Sequence, residues 1–101
     1  MRRADLDACW TSGRRAHSRY LDLAWRPNTA GRARLAIVVP RFQQTAVARN
    51  LVRRRLRDLV RRGPLASLPA VDLVLRARRA AYAAPYDALR ADLSTALAHL
   101  Q

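Results

Sequence analysis

The chain contains no lysine, and all twenty of its basic residues are arginine. Its single cysteine, Cys9, excludes an internal disulfide and a cysteine-based zinc site, and it fits a reducing compartment. No apolar run approaches the roughly 18 residues of a membrane span, and no continuous apolar signal-peptide core follows Met1–Asp5. We therefore expect a cytoplasmic protein with no membrane partner.

Positive charge dominates what is present. The formal net charge is +13 over 101 residues, half of which are hydrophobic, so we expect one folded domain, residues 1–101, with a strongly basic surface. Such a surface favours a polyanionic partner, with nucleic acid the first choice. A GC-rich genome explains the arginine bias as readily as selection for guanidinium chemistry, whose planar fork binds phosphate and stacks on bases.

Hydrophobic periodicity predicts an α+β fold, with the order αβββαβα, or αββαβα if the second hairpin strand is split differently. The first half of the chain is predicted to form a short helix over residues 3–10 closed near Ser12-Gly13, a half-buried strand over 20–26 and a central strand over 35–39. The second half is predicted to form a helix from Thr45 to Arg62, a strand over 71–77 and a last helix opened by Pro85. That last helix carries one apolar stripe, which consists of Leu89, Leu93, Leu97 and Leu100.

The predicted helix from Thr45 to Arg62 carries two opposed faces. A stripe for packing on the sheet consists of Ala48, Val52, Leu56, Leu59 and Val60. A ridge of arginines at four-residue intervals consists of Arg49, Arg53, Arg57 and Arg61, with Asn50 and Arg54 beside them. Like charges at this spacing repel, and Asp58 is the only acid in the segment, so the ridge favours phosphate binding. The alternative is a solvated basic face that serves solubility alone.

The segment RLAIVVPRFQQTAVARNLVRRRLRDLVRR, residues 34–62, resembles the signature of the ribonuclease P protein family, in which a strand and a basic turn lead into a helix opening with Ala-Val-x-Arg-Asn. Residues 46–50 match that opening. Further matches are Arg53, Arg54 and Arg57, the strand over 72–78, the closing helix over 86–97, and a first helix with Leu6, Trp10 and Gly13. The resemblance covers nearly the whole chain.

This chain departs from the family pattern at several positions. Leu51 stands where a third basic residue usually follows the Arg-Asn pair, so one RNA contact is missing or moved to Arg55. The basic pair before the helix is reduced to Arg41-Phe42, and Gln44-Thr45 replaces the usual Gly-Asn. Leu6 and Ala24 occupy places that are often aromatic, which leaves Trp10 as the stacking platform.

The resemblance implies a two-layer α/β sandwich with a left-handed βαβ crossover, similar to the second domain of ribosomal protein S5. It also implies an accessory subunit of an endoribonuclease, whose partners are the catalytic ribonuclease P RNA and precursor tRNA. Family members bind that RNA through the arginine helix and hold the 5′ leader of the precursor in a cleft between sheet and first helix. The RNA performs the hydrolysis with Mg²⁺ that it holds itself.

Two surfaces follow as hypotheses. The surface for the catalytic RNA consists of Arg41, Arg49, Asn50, Arg53, Arg54, Arg57 and Arg61. The leader-binding cleft consists of Leu6, Trp10, Asp22, Ala24, Val38 and Arg78, and it takes an extended strand by stacking and apolar contact with little sequence preference. Trp10 has a competing interpretation as an ordinary core residue.

No side chain is expected to act as acid, base, nucleophile or metal ligand in the protein. His17 and His99 are far apart in sequence and lack an evident carboxylate partner. Cys9 lies on the Leu6 and Trp10 side of its helix, which favours a buried, inert thiol. The main rival function is that of a ribosomal or other structural RNA-binding protein that uses the same arginine helix without a nuclease role.

Overall fold

A computed structural model of the chain describes residues 2–63 and 68–98. Its elements are α1 (Arg3–Ser12), β1 (Arg14–His17), β2 (Leu21–Pro27), β3 (Arg34–Val38), α2 (Ala46–Arg62), β4 (Val71–Ala77), a 3₁₀ segment (Arg79–Ala83) and α3 (Tyr86–Leu97). The α+β class and the order αβββαβα are confirmed. The short strand β1 was not located in the sequence because Arg-Arg-Ala-His has no apolar alternation.

The four strands form one mixed sheet in the order β1-β2-β4-β3. β2 pairs antiparallel with both β1 and β4, whereas β3 pairs parallel with β4, and α2 connects those two parallel strands. The expectation that residues 35–39 form the central strand is therefore wrong. Residues 71–77 are inserted between β2 and β3, so β3 lies at an edge and is half-buried along its length. The left-handed crossover stays a prediction.

The main core lies between the sheet and the pair α2 and α3. Alternate residues of β2 and β4 point into it, among them Leu21, Leu23, Leu73 and Leu75, each at most 1% exposed. The predicted stripe of α2 packs there, with Val52, Leu56, Leu59 and Val60 buried and Ala48 half-buried. On α3, Leu89, Leu93 and Leu97 are buried as predicted, and Leu100 lies outside the described residues.

The ends of α2 agree with its sequence signals. The Thr45 side chain accepts a hydrogen bond from the backbone N–H of Ala48 at 3.1 Å, which caps the helix. At the other end Gly63 donates its N–H to the carbonyl of Leu59 at 3.2 Å. α2 therefore begins and ends where its sequence predicted, and its arginines keep the predicted spacing.

α1 covers part of the opposite face of the sheet. Cys9, Ala24 and Val74 form a small buried cluster beneath it, against which Leu6, Trp10 and Val38 pack. Gly13 closes α1 where the chain passes close to β2, and a Cβ atom there would lie 2.5 Å from the carbonyl oxygen of Trp25. Among the described residues, α1 therefore covers only part of this second sheet face.

Candidate nucleic-acid interface

The arginine ridge of α2 projects from the side of the molecule that β3 borders. Asn50, Arg54, Arg57 and Arg61 are exposed, whereas Arg49 and Arg53 are half-buried. Arg49 donates its Nε–H to the carbonyl of Val39 at 2.7 Å, so this guanidinium is anchored to the end of β3. Within residues 2–63 and 68–98, the Nε of Arg53 is buried and has no hydrogen-bond partner. The helix therefore presents both fixed and free guanidinium groups.

The one acid of α2 does not neutralise this ridge. Asp58 lies 3.0 Å from the Nε of Arg62, one turn further along, and accepts a hydrogen bond from the hydroxyl of Tyr86 at 2.9 Å. That hydrogen bond, together with burial, raises the pKa of the Tyr86 hydroxyl. In the described part of the chain, Arg54, Arg57 and Arg61 make no side-chain ion pair. The ridge is a concentrated positive surface without internal compensation.

The turn before α2 is built from aromatic contacts. Phe42 and Gln43 have positive φ angles of 48° and 65°, a left-handed conformation that residues other than glycine adopt uncommonly. Phe42 contacts Tyr82 edge to face at 6.3 Å, the guanidinium of Arg79 lies 5.1 Å from the Phe42 ring, and the Tyr82 hydroxyl donates to the carbonyl of Pro40 at 2.6 Å. Phe42 thus supports the turn, and Arg41 beside it is exposed.

An apolar strip accompanies the ridge on α2. Val47 and Leu51, four residues apart, are 79% and 43% exposed. Leu51 is the position at which the sequence lacks the expected third basic residue, and its side chain lies on the surface. The described surface therefore has one cationic group fewer at the start of α2 than the family pattern implies.

Strand register brings the predicted cleft residues together on the α1 face. One row across the sheet contains His17, Asp22, Arg76 and Val38, and the neighbouring row contains Arg15, Ala24, Val74 and Ala36. Leu6 and Trp10 of α1 pack over the second row. Ala24 is fully buried, so it has no surface of its own for a ligand.

Asp22 is the centre of a polar cluster in the first row. Its carboxylate lies 2.8 Å from Nδ1 of His17, accepts a hydrogen bond from Nη2 of Arg76 at 3.3 Å, and lies 4.0 Å from Nε of Arg78. The expectation that His17 lacks a carboxylate partner is wrong, because the antiparallel pairing of β1 with β2 places His17 opposite Asp22. His99 lies outside the described residues.

Arg78 is exposed at the end of β4. Its side chain donates a hydrogen bond through Nη1 to the carbonyl of Ser18 at 2.9 Å and is about half exposed. The turn that contains Ser18, between β1 and β2, is held by α3. The carboxylate of Asp92 accepts hydrogen bonds from the Ser18 hydroxyl at 2.7 Å and from the Tyr20 N–H at 3.0 Å. Arg78 is therefore positioned by the sheet and by α3 together.

Arg76 is a cleft residue that no sequence pattern predicted. Its guanidinium carbon lies 4.3 Å from the ring centroid of Trp10, a cation–π arrangement. Nothing local marks this contact, because Trp10 belongs to the first helix and Arg76 to the last strand. The alternation of Asp72, Val74 and Arg76 places these three residues on one face of β4. That pattern indicates a shared face, but it does not show that Trp10 lies there until the order of the strands is known.

Cys9 is fully buried under α1, as predicted. Its thiol lies 3.5 Å from the carbonyl oxygen of Asp72. Burial raises the pKa of the Cys9 thiol, and the nearby carboxylate of Asp72 adds to that effect. Residues 2–63 and 68–98 contain no group of three or more potential metal ligands and no helix long and apolar enough to cross a membrane.

Comparison with known proteins decides the family. A family model described as Ribonuclease P matches residues 1–101. The chain belongs to the ribonuclease P protein family. It is 37% identical over 87 residues to the ribonuclease P protein component of Kocuria rhizophila, a match that spans 86% of this chain and 77% of that protein. It is 39% identical over 85 residues to the ribonuclease P protein component of Thermus scotoductus. That match spans 84% of this chain and 49%, about half, of the Thermus protein.

A solved structure agrees with this assignment. The ribonuclease P protein of Thermotoga maritima superimposes with a TM-score of 0.88 at 25% identity, over all of this chain and 96% of that one. Membership confirms the family that the Ala-Val-x-Arg-Asn motif predicted. RNA binding and tRNA processing follow from the family, and the chain is an accessory subunit of the tRNA-processing ribonuclease.

Proposed function

We propose that this ribonuclease P protein binds the catalytic RNA through α2 and Arg41, and holds the 5′ leader of precursor tRNA in the cleft between α1 and the sheet. By doing so it assists endonucleolytic removal of the leader. The observation that carries the first half is the uncompensated ridge of α2, with Asn50, Arg54, Arg57 and Arg61 exposed and Asp58 engaged elsewhere.

The ridge has the geometry of a phosphate-binding surface. Residues one turn apart on a helix have Cβ atoms about 5–6 Å apart, so the ridge presents a row of closely spaced guanidinium groups to a phosphate backbone. Arg49 and Arg53 flank the edge strand β3, and Arg49 is held in place by Val39. A rigid helix that carries fixed and free arginines binds a folded RNA without reading its bases.

The cleft suits an unpaired strand. Leu6, Trp10 and Val38 offer apolar surface beside the charged row of Asp22 and Arg76, with Arg78 at its end. Apolar and aromatic surface accepts bases of any identity, whereas the arginines hold the backbone, so leader binding tolerates different sequences. This cleft lies on the sheet face opposite α2 and α3.

Hydrolysis itself is assigned to the RNA partner. We propose that the Mg²⁺ ions are held mainly by RNA phosphates and that the protein acts through charge and position. The described residues contain no group of three or more His, Cys, Asp or Glu side chains that could hold a metal ion. Precursor tRNA is made in the bacterial cytoplasm, where we place this activity.

Reconstitution tests the proposal. The protein with ribonuclease P RNA at low Mg²⁺ is expected to cleave precursor tRNA to the mature 5′ end, and Arg54→Gln and Arg57→Gln are each expected to weaken RNA association. Each variant should flatten the plot of log affinity against log salt by roughly 0.7 to 0.9 of a unit, because one phosphate contact is lost.

Arg90→Gln is the matched control, since Arg90 is exposed on α3 and pairs with Asp87. It removes the same charge away from both surfaces and should leave the slope unchanged. Absence of cleavage, together with ribosomal RNA as the RNA that co-purifies with the protein, would contradict the proposal and favour a ribosomal role.

A further inference from the structure

Arg76 sits at the middle of the leader-binding cleft, on a strand whose neighbours hold it on both sides. It pairs in register with Asp22 of β2 and Val38 of β3. Its Nη2 donates to the Asp22 carboxylate at 3.3 Å, and 43% of its side-chain surface is exposed. The guanidinium is therefore restrained and still open to solvent.

The same guanidinium covers the indole of Trp10. The distance from its central carbon to the ring centroid is 4.3 Å, and the indole also packs against the buried cluster of Cys9, Ala24 and Val74. A base that enters the cleft cannot reach this covered indole face unless Arg76 is displaced. It meets the outer face of the guanidinium first.

We propose that Trp10 and Arg76 form one composite stacking platform, in which a base of the leader lies on the outer face of the Arg76 guanidinium and the Trp10 indole supports the inner face. This inference rests on the proposed leader-binding function and names the residue that contacts the base. The platform replaces direct stacking on Trp10.

The bonding geometry of arginine makes the three contacts compatible. A guanidinium donates hydrogen bonds in its plane and stacks through its two faces. In the proposed platform, Asp22 binds the edge of the guanidinium, Trp10 supports one face, and the other face takes a base. Arg78, two residues further along the chain and just past the end of β4, carries a charge for the adjoining phosphate.

Stacking on a guanidinium gives the leader contact a recognisable signature. Every base has a π-face, so the contact accepts any base but requires that a base be present. Loss of the base at the one leader position above Arg76 should therefore matter, whereas exchange of one base for another there should matter little.

The test uses the reconstituted holoenzyme and precursor tRNAs that carry a single abasic site at successive leader positions. With wild-type protein, one position should lose affinity by roughly fivefold to a hundredfold. Arg76→Ala should lose a comparable factor with the intact leader and should become insensitive to the abasic site at that position. Arg76→Lys keeps the charge but not the plane, and should show the same insensitivity.

Controls separate this effect from misfolding and from loss of charge. Affinity for mature tRNA, which has no leader, should stay at the wild-type value in both Arg76 variants. Arg90→Ala removes an exposed arginine outside the cleft and should keep the wild-type abasic profile. Trp10→Phe retains a flat ring beneath Arg76 and should keep the sensitive position with a smaller loss.

Two results would overturn the platform. One is an Arg76→Ala holoenzyme that binds intact leader as tightly as wild type and stays sensitive at the same position, since the base would then stack on Trp10 itself. The other is an equal loss for leader-bearing and mature tRNA. In both cases wild-type cleavage and leader preference would still stand, whereas their absence would reject the proposed function as well.

Discussion

Asp72 is the one charged side chain that is buried among the residues described, at 5% exposure. Arg34 donates to its two oxygens from Nε at 2.6 Å and Nη2 at 2.7 Å, and Asn28 donates from Nδ2 at 2.9 Å. The hydrogen bonds from Arg34 hold the pKa of the Asp72 carboxyl below its usual range, against the opposing effect of burial. Arg34 also lies 3.8 Å from Asp5 of α1.

This cluster predicts a pH-dependent loss of stability in Asp72→Asn. We expect the free energy of unfolding to fall by about 2 kcal/mol at neutral pH, because charge-assisted hydrogen bonds become neutral ones. Since folding lowers the pKa of Asp72, its contribution is complete above the ordinary aspartate value of about 3.9 and is lost as the pH falls below that value towards the folded pKa.

Urea unfolding of both proteins between neutral and acidic pH measures this. The difference in free energy of unfolding between the wild-type protein and Asp72→Asn should become smaller in the acid range. Asp87→Asn serves as control, because Asp87 is 84% exposed and forms an exposed ion pair with Arg90. A difference that is constant with pH would show that the charge of Asp72 does not contribute.

At the scale of elements, the placement of α1 depends on Gly13. The backbone there is extended, with φ at −85°, so no glycine-specific conformation is needed. A close approach is the reason for glycine, since a Cβ atom would lie 2.5 Å from the Trp25 carbonyl oxygen and 2.6 Å from that of Cys9. Both atoms are backbone and cannot rotate away.

Gly13→Ala should therefore push α1 away from β2. We expect a destabilisation of about 1–3 kcal/mol, typical of overpacking, and a selective loss of leader binding because Trp10 moves with α1. Thermal unfolding and the affinity ratio of precursor to mature tRNA measure the two effects.

The control for this change is Gly31→Asn. Gly31 has a φ of 77°, which asparagine tolerates, and a Cβ atom there meets nothing within 4 Å. A Gly13→Ala protein with the stability and tRNA ratio of this control would show that α1 adjusts without cost.

The elements themselves were predictable to different degrees. α2 and α3 have long apolar stripes, an N-terminal signal at Thr45 or Pro85, and clear spacing, so local sequence specified them. β1 is four residues long and has no buried residue, so it exists only because β2 provides hydrogen-bonding partners. The position of β3 at an edge is a property of strand order, which apolar content does not reveal.

At the scale of the whole molecule, the net charge of +13 destabilises the free protein as long as no RNA is bound. Seven aspartates cannot balance twenty arginines, and several of these aspartates are engaged in fixed pairs such as Asp22 with Arg76 and Asp58 with Arg62. Self-repulsion lowers the stability of the free protein, and a polyanion relieves it.

Ribonuclease P RNA should consequently stabilise the fold. At a free RNA concentration one hundred times the Kd, the free energy of unfolding should rise by about 2.7 kcal/mol, and the gain should diminish as salt weakens binding. Thermal melts at low and physiological salt measure this. An unrelated RNA of equal length serves as control, and an equal gain with it at physiological salt would contradict specific binding.

The sequence by itself determined the polyanionic partner, the bounds of α2, its division into a core stripe and an arginine ridge, and the family. Those features depend on charge and on contacts within one or two helical turns. Tertiary structure decided the order β1-β2-β4-β3, the pairing of His17 with Asp22, and the stacking of Arg76 on Trp10. The Asp22–Arg76 contact joins residues 54 positions apart, because register between strands, unlike periodicity within one, has no local signal.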